Sequence, residues 1–234
     1  MEMKIAIVSA GGQIAQVLIK ELGDALVYEI DPKNPPDLPE LSDRLKGDGI
    51  TDVVFSGKVD KRAVFSSKID FAKKDDISIL KEISSYFATQ GIKVRNQLRW
   101  LKKFLAEEGL IIGKGLSKAE EKDIKYGFLV AKRLVSTGVG QTVCVKNDIV
   151  VAVEALEGTD KTILRAGSLV DGFVVVKCGK VGLELPAIGK KTILAMKKAG
   201  ARALGIQANR VLLLPGAVQI AKKWGISIIG IDGQ

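Results

Sequence analysis

The chain has 234 residues, 47% of them apolar, and its 36 Lys and Arg against 27 Asp and Glu leave a net charge of +9. That length suits one large domain or two smaller ones with a real core, and no apolar run approaches the roughly 20 residues that cross a bilayer. There is no histidine, which excludes a Ser-His-Asp triad, a histidine general base and any histidine-ligated metal.

Other bulk features narrow the partners. The opening Met1-Glu2-Met3-Lys4 does not read as a secretory signal, and Cys144 and Cys178 lack metal-type spacing. Buried free thiols in a reducing cytoplasm are expected. The positive surplus suits an anionic partner: a nucleotide, a nucleic acid or an acidic membrane. It is spread as pairs such as Lys102-Lys103, Lys190-Lys191 and Lys222-Lys223, as solvated helix faces require. Aromatic residues make up only 5%, which counts against stacking single-stranded nucleic acid, and no nucleic-acid partner is expected.

Along the chain, Lys4 to Val8 reads as a short buried strand, Ser9 to Gln13 as a tight turn and Ile14 to Leu22 as a helix. Ala25 to Ile30 is a second strand, ending at Asp31. This is a βαβ start whose Gly11 and Gly12 let a phosphate approach a helix N-terminus. The dinucleotide fingerprint is imperfect in either frame, while Asp31 stands 19 residues after Gly12, where a ribose contact belongs. A Pro-rich segment (Pro32, Pro35, Pro36, Pro39) leads to a short helix from Leu41 to Lys46 and a strand from Asp52 to Ser56, which ends at Gly57-Lys58. Asp75 to Ala88 has the spacing of an amphipathic helix, and Ile92 to Val94 of a strand.

Ser117-x-x-Glu120 is a capping box that opens a helix to about Ser136. Val139 to Lys146 and Ile149 to Glu154 read as a hairpin around Asn147-Asp148, a type I′ turn. Phe173 to Lys177 reads as a strand and Lys190 to Ala199 as a helix. Ala203 to Gln207 with Val211 to Leu214 reads as a strand pair, Pro215 to Trp224 as the last helix and Ile226 to Ile231 as the last strand. The expected fold is α/β: a Rossmann-like βαβ domain over residues 1–112, then a mixed α/β catalytic domain over 113–234.

Two segments carry chemistry. Val153-Glu154-Ala155-Leu156-Glu157-Gly158-Thr159-Asp160 puts three carboxylates within seven residues where an apolar strand runs out. Such a cluster suits a hard divalent cation, and Thr159 or Asp160 suits the N-cap of the following helix. A bland alternative makes Asp160 only a cap and both glutamates solvated. The second segment, Lys177 to Thr192, ends a strand at Lys177 and continues in a Gly-rich loop with Lys180, Glu184 before Leu185-Pro186, Gly189 and Thr192. A lysine-bearing loop of this kind wraps phosphates, although the P-loop spacing is absent.

Taken in order, Gly138-Val139-Gly140-Gln141, Glu157-Gly158-Thr159-Asp160 and Leu185-Pro186-x-Ile188-Gly189-x-x-Thr192 resemble the UDP-2,3-diacylglucosamine pyrophosphatase family of the I type. The resemblance covers nearly the whole chain and is strongest from about Ser117 to Gly230. It implies hydrolysis of UDP-2,3-diacylglucosamine to UMP and 2,3-diacylglucosamine 1-phosphate (lipid X) in lipid A synthesis. It also implies a cytoplasmic enzyme peripheral to the inner membrane, and suggests a homodimer. On this reading Asp160 and Glu184 are catalytic and, with Glu157, hold Mg²⁺ or Mn²⁺. Gly11, Gly12, Lys58, Gln141, Thr159, Lys177, Lys180, Gly189 and Thr192 contact substrate. Two departures stand out: Glu184 occupies the position where the family usually has Asp, and no Pro follows Gly12-Gln13. The competing expectation is a non-catalytic nucleotide sensor built on the Gly11-Gly12 turn.

Overall fold

A computed structural model describes residues 3–57, 76–179 and 186–232. The chain divides into two compact units, with the break between Lys102 and Lys103.

The first unit is a parallel sheet in the order β2-β1-β3-β4, formed by β1 (Ile5–Ser9), β2 (Leu26–Glu29), β3 (Asp52–Ser56) and β4 (Lys93–Val94). Around it lie α1 (Gln13–Leu22), α2 (Leu38–Gly47), α3 (Asp76–Thr89) and the single turn α4 (Leu98–Leu101). A parallel sheet needs cover on both faces, so β1 and β3 read as near-continuous apolar runs. Ala6, Val8 and Val53 pack with Leu41, Leu45 and Phe87 on one side. The alternating residues Ile7 and Val54, equally buried, face the other side, where α1 and α4 pack together.

Helix α2 begins three residues earlier than its apolar spacing suggests. The Asp37 side chain accepts the Glu40 N–H and Pro39 sits in the first turn, where an α-helix has no donor to lose. Outside that cap, Tyr28 donates to Asp48; burial and this carboxylate push the tyrosine pKa up to about 12. Burial alone would raise Asp52, yet the Thr51 hydroxyl and the Arg95 guanidinium hold it below the ordinary carboxylate value.

The second unit is a six-stranded mixed sheet in the order β5-β12-β10-β8-β6-β7. Its strands are β5 (Gly109–Ile112), β6 (Thr142–Lys146), β7 (Ile149–Val153), β8 (Val174–Lys177), β10 (Ala203–Gln207) and β12 (Ser227–Ile231). Strands β8, β10 and β12 are parallel; β5, β6 and β7 are antiparallel to their neighbours. Helix α5 (Lys118–Ser136) covers one face with Ile124, Phe128 and Ala131 against Val143, Val145, Val174 and Val176. The other face receives α6 (Thr159–Gly167), α7 (Lys190–Lys198) and α8 (Ala217–Trp224), packed on Cys144, Val175, Leu204, Ile206 and Ile228.

Several expectations are met and several corrected. Both halves of the Ser117–Glu120 capping box form. Asn147 and Asp148 both take positive φ, as a type I′ turn demands. The 203–207 and 211–214 segments are not a strand pair. Residues 203–207 form β10 between β8 and β12, and Leu212–Leu213 (β11) pairs with Ala187–Ile188 (β9). The β5 strand was not anticipated: Gly109–Ile112 is short, and it is held at the sheet edge by pairing with β12 from the far end of the chain.

Candidate functional site

The parallel strands β8, β10 and β12 end at one edge of the second sheet, and the reversed strand β6 begins there. Ligands of open α/β sheets bind at that carboxyl edge. Register then decides which side chains meet. Thr142 lies opposite Lys177 on β8, and the Glu154 N–H bonds to the Thr142 carbonyl from the other side. All three alternate in phase with Cys144, Ala152 and Val175, so they point to the face that carries α6 and α7.

The result is a polar cluster at the rim of an apolar core. The Lys177 ammonium donates to Thr159 Oγ1 at 2.6 Å and to Thr142 Oγ1 at 3.2 Å, and lies 3.7 Å from Glu154 Oε2. Thr159 in turn donates to Glu154 Oε1 at 3.2 Å. Lys177 is 4% exposed, Glu154 6% and Thr142 fully buried. A lysine and a glutamate buried this deeply persist only when paired and hydrogen-bonded.

Thr159 and Asp160 open α6, but neither caps it. Gly158 is the N-cap residue, at φ 83°, with no side-chain cap bond. The left-handed turn at Gly158 leaves both side chains available for other partners. Thr159 takes the Lys177 bond. Asp160 Oδ1 accepts from Thr192 Oγ1 at 2.8 Å, tying the first turn of α6 to the first turn of α7.

Glu157 stands apart from that line. Its Oε1 accepts from Arg165 at 2.8 Å and from Thr162 at 3.2 Å, while its Oε2 accepts the Ala155 N–H. The Arg165 guanidinium holds its carboxyl below the usual range.

Of the expected substrate contacts, Thr159, Lys177 and Thr192 therefore converge here with Asp160. Gln141 precedes Thr142, and its carbonyl accepts from Cys178 beside Lys177. Gly189 is the N-cap of α7. Gly11 and Gly12 belong to the first unit. Lys58, Lys180 and Glu184 lie outside the described residues. Among the described residues no three Asp, Glu or Cys side chains gather where they would hold a metal ion. Thr192 fixes one Asp160 oxygen, whereas Glu157 already serves Arg165.

Sequence reasoning missed Thr142 and did not place Glu154 in the site. Both become visible once strand alternation is carried to the strand ends, because each is a polar residue in phase with buried apolar ones. Burial pushes the Cys144 and Cys178 thiols up to about 12, and both are free.

In the first unit, the Gly11-Gly12 loop also ends a parallel strand. Ser9 Oγ accepts the Gly11 N–H at 3.0 Å, and Ala10 N–H bonds to the Ser56 carbonyl at 2.8 Å. Gly57 holds the two strand ends together, since a Cβ there would stand 2.6 Å from the Gly11 carbonyl oxygen. Asp31 is exposed and accepts the Lys33 N–H at 2.9 Å. It lines an open cleft with Glu29, Asp37, Glu40 and Arg44, whose four carboxylates oppose a phosphate there.

Comparison with known proteins matches this arrangement to two adjoining family models. Residues 3–104 match the LpxI N-terminal domain and residues 107–229 the LpxI C-terminal domain. The chain belongs to the LpxI family. It is 27% identical over 219 residues to the UDP-2,3-diacylglucosamine pyrophosphatase LpxI of Caulobacter vibrioides, covering 81% of this chain and 78% of that protein. The Lys177 cluster and the Asp160–Thr192 link both fall within the span matched to the family's C-terminal domain.

Proposed function

We propose that this chain hydrolyses the pyrophosphate bond of UDP-2,3-diacylglucosamine, releasing UMP and 2,3-diacylglucosamine 1-phosphate (lipid X) in lipid A synthesis. The observation that carries this reading is family membership across both units, joined to the buried Lys177–Glu154 cluster and Asp160 at the carboxyl edge of the second sheet.

The chemistry suits a protein without histidine. Cleaving a phosphoanhydride requires a held water, an in-line geometry and positive charge on the non-bridging oxygens. Lys177, oriented by Thr142, Thr159 and Glu154, supplies a fixed cation. The first turns of α6 and α7 add backbone N–H groups that favour anions. Thr192 fixes the Asp160 carboxylate, which orients the attacking water or a ligand of the cation. A divalent ion such as Mg²⁺ or Mn²⁺, held by Asp160 with Glu184, would polarise the phosphates and lower the pKa of bound water.

The surplus of positive charge favours a nucleotide-diphosphate lipid and an anionic membrane surface. A cytoplasmic enzyme peripheral to the inner membrane, working as a homodimer, fits this proposal. Among the described residues no helix is long and apolar enough to cross a membrane.

The test is UMP release from UDP-2,3-diacylglucosamine with Mg²⁺, with Mn²⁺ and with excess chelator. Metal-dependent release is expected. Folded protein that releases no UMP under any condition would overturn the hydrolase and leave the nucleotide sensor, whose support is the Gly11-Gly12 loop.

A further inference from the structure

Charge is spread unevenly along the chain. From Leu185 to Ile231 there are six Lys and two Arg and neither Asp nor Glu, so this stretch holds +8 against +9 for the whole chain. Helices α1, α2, α3, α5 and α6 each carry both signs. Helices α7 and α8 carry lysine alone: Lys190, Lys191, Lys197 and Lys198 on the first, Lys222 and Lys223 on the second. All six are exposed.

The two helices pack side by side, with Ile193, Met196, Ala217 and Ala221 turned into the core beneath them. The Lys190 stem lies where a Cβ on Gly216, the N-cap of α8, would fall. At the other end the Lys197 ammonium stands 4.9 Å from the centre of the Trp224 ring, and the Lys223 ammonium 5.4 Å. Start meets start and end meets end, so the helices run parallel. Their outer side is a field of lysines holding two large apolar side chains, Leu194 at 48% exposed and Trp224 at 43%. Leu194 precedes Lys197 and Lys198 by three and four positions, which puts it on their side of α7.

Helix dipoles favour cations in the last turn, which accounts for Lys197, Lys198, Lys222 and Lys223. The same dipole opposes Lys190 and Lys191 in the first turn of α7, and it leaves Leu194 and Trp224 unexplained. Nucleic acid suits the face poorly, because one aromatic ring offers no row of stacking platforms. A protein partner suits it poorly as well: Lys is depleted from protein interfaces, where Arg makes the rigid two-pronged contacts. Compact ammonium groups around a tryptophan match a fluid anionic surface, where the ring settles at headgroup depth and the charges meet phosphate.

We propose that the outer face of α7 and α8 docks this protein on a bilayer containing anionic lipid, with Leu194 and Trp224 entering the headgroup layer. This rests on the lipid-linked substrate proposed above and names the surface that meets its bilayer. Thr192, on the inner side of α7, bonds to Asp160, so docking holds a helix of the candidate site against the lipid.

The experiment sediments the full chain with phosphatidylcholine vesicles, with and without phosphatidylglycerol as about a third of the lipid. The parent is expected to bind the anionic vesicles, to ignore the neutral ones, and to detach at roughly 0.5 M NaCl, where screening shortens the reach of charge. In a Trp100→Phe background Trp224 is the sole tryptophan, and its emission should shift to the blue on binding. The fourfold variant Lys197→Gln, Lys198→Gln, Lys222→Gln and Lys223→Gln should weaken binding about a hundredfold or more, from about fivefold per lysine at such a surface. Leu194→Gln with Trp224→Gln should weaken it about tenfold, as lost apolar insertion does. Removing four charges from α5, on the other face of the sheet, by Lys118→Gln, Lys125→Gln, Lys132→Gln and Arg133→Gln should change it less than about threefold, since those charges lie beyond the screening length. UMP release from detergent-dispersed substrate should be unchanged in all three variants, because none of these residues belongs to the Lys177–Asp160 site.

Parent protein that ignores anionic vesicles, an unshifted Trp224 emission, or an α5 variant that loses as much as the α7–α8 variant would overturn the proposal. So would lysine-dependent binding of an RNA oligonucleotide without vesicle binding, which would give the face to nucleic acid. If the fourfold variant does not fold, Lys197→Gln with Lys198→Gln and Lys222→Gln with Lys223→Gln are read separately, each expected to lose about tenfold or more. Vesicle binding through this face without UMP release from any form of the substrate would sink the hydrolase and keep the docking face. Release from dispersed substrate without vesicle binding would do the reverse.

Discussion

Replacing Lys177 by Met removes a buried ammonium from the centre of the polar cluster while keeping most of its volume. At 3.7 Å from Glu154, an effective dielectric of ~20 gives about 4–5 kcal/mol of gross attraction. Much of that offsets the desolvation of two charges, so the pair adds little net stability over an apolar replacement. Removing one partner is different, because the Glu154 carboxylate keeps its burial and loses this cation, at a cost of about 3–5 kcal/mol. The Thr159 and Thr142 bonds to Nζ are lost in the same step and are contained in that figure. For a chain of this size the loss corresponds to roughly 6–20 °C in melting temperature. The double change Lys177→Met with Glu154→Gln removes both charges and should recover to within about 1–2 kcal/mol of the parent. Urea titration followed by far-UV circular dichroism and by fluorescence reads all three proteins, and a Trp100→Phe background makes Trp224 the reporter of the second unit. A Lys177→Met penalty under about 1 kcal/mol, or a double variant no better than the single, would refute the claim that these charges depend on each other.

Thr192→Val removes the hydroxyl that fixes Asp160 at 2.8 Å; about 1 kcal/mol of stability and a larger fraction of UMP release should go with it, and unchanged turnover would remove the Asp160–Thr192 link from the site. Asp160→Ala and Glu184→Ala should each abolish metal-dependent turnover with far-UV circular dichroism unchanged, and near-normal rates in either would exclude that residue. Both thiols, held protonated up to about 12 by burial, should resist alkylation at pH 8 in folded protein and react only on denaturation. Glu157 sits below the ordinary glutamate value of about 4.3 because Arg165 faces it. The stability it contributes is therefore present above that pH and fades as acid titrates it below. Because Arg165 is nearly half exposed, the effect is well under 1 kcal/mol. Carboxyl NMR should show the Glu157 titration move upward in Arg165→Met, and an unmoved titration would refute the pairing.

Local signals alone determined much of this protein. The capping box at Ser117 and Glu120, the Asn147-Asp148 turn and the apolar runs of β1, β3, β6 and β8 each depend on residues a few positions apart, and a short-range pattern is sufficient to read them. The Glu-Gly-Thr-Asp stretch likewise announced a polar edge, and its order with the neighbouring motifs pointed to the family. Tertiary structure decided what those edges do. Strand β5 exists only because β12 reaches it from more than a hundred residues away, and Leu212–Leu213 joins Ala187–Ile188 instead of its sequence neighbour β10. The same holds for the site. Asp160 looked like a cap, but with Gly158 in that place the helix starts two residues earlier, and the Asp160 carboxylate meets Thr192 on another helix. Thr142 and Lys177 come from β6 and β8 and Glu154 from the residue after β7, and only pairing register sets them side by side. Side-chain periodicity tells which face a residue occupies; which partner it meets there is a property of the assembled sheet.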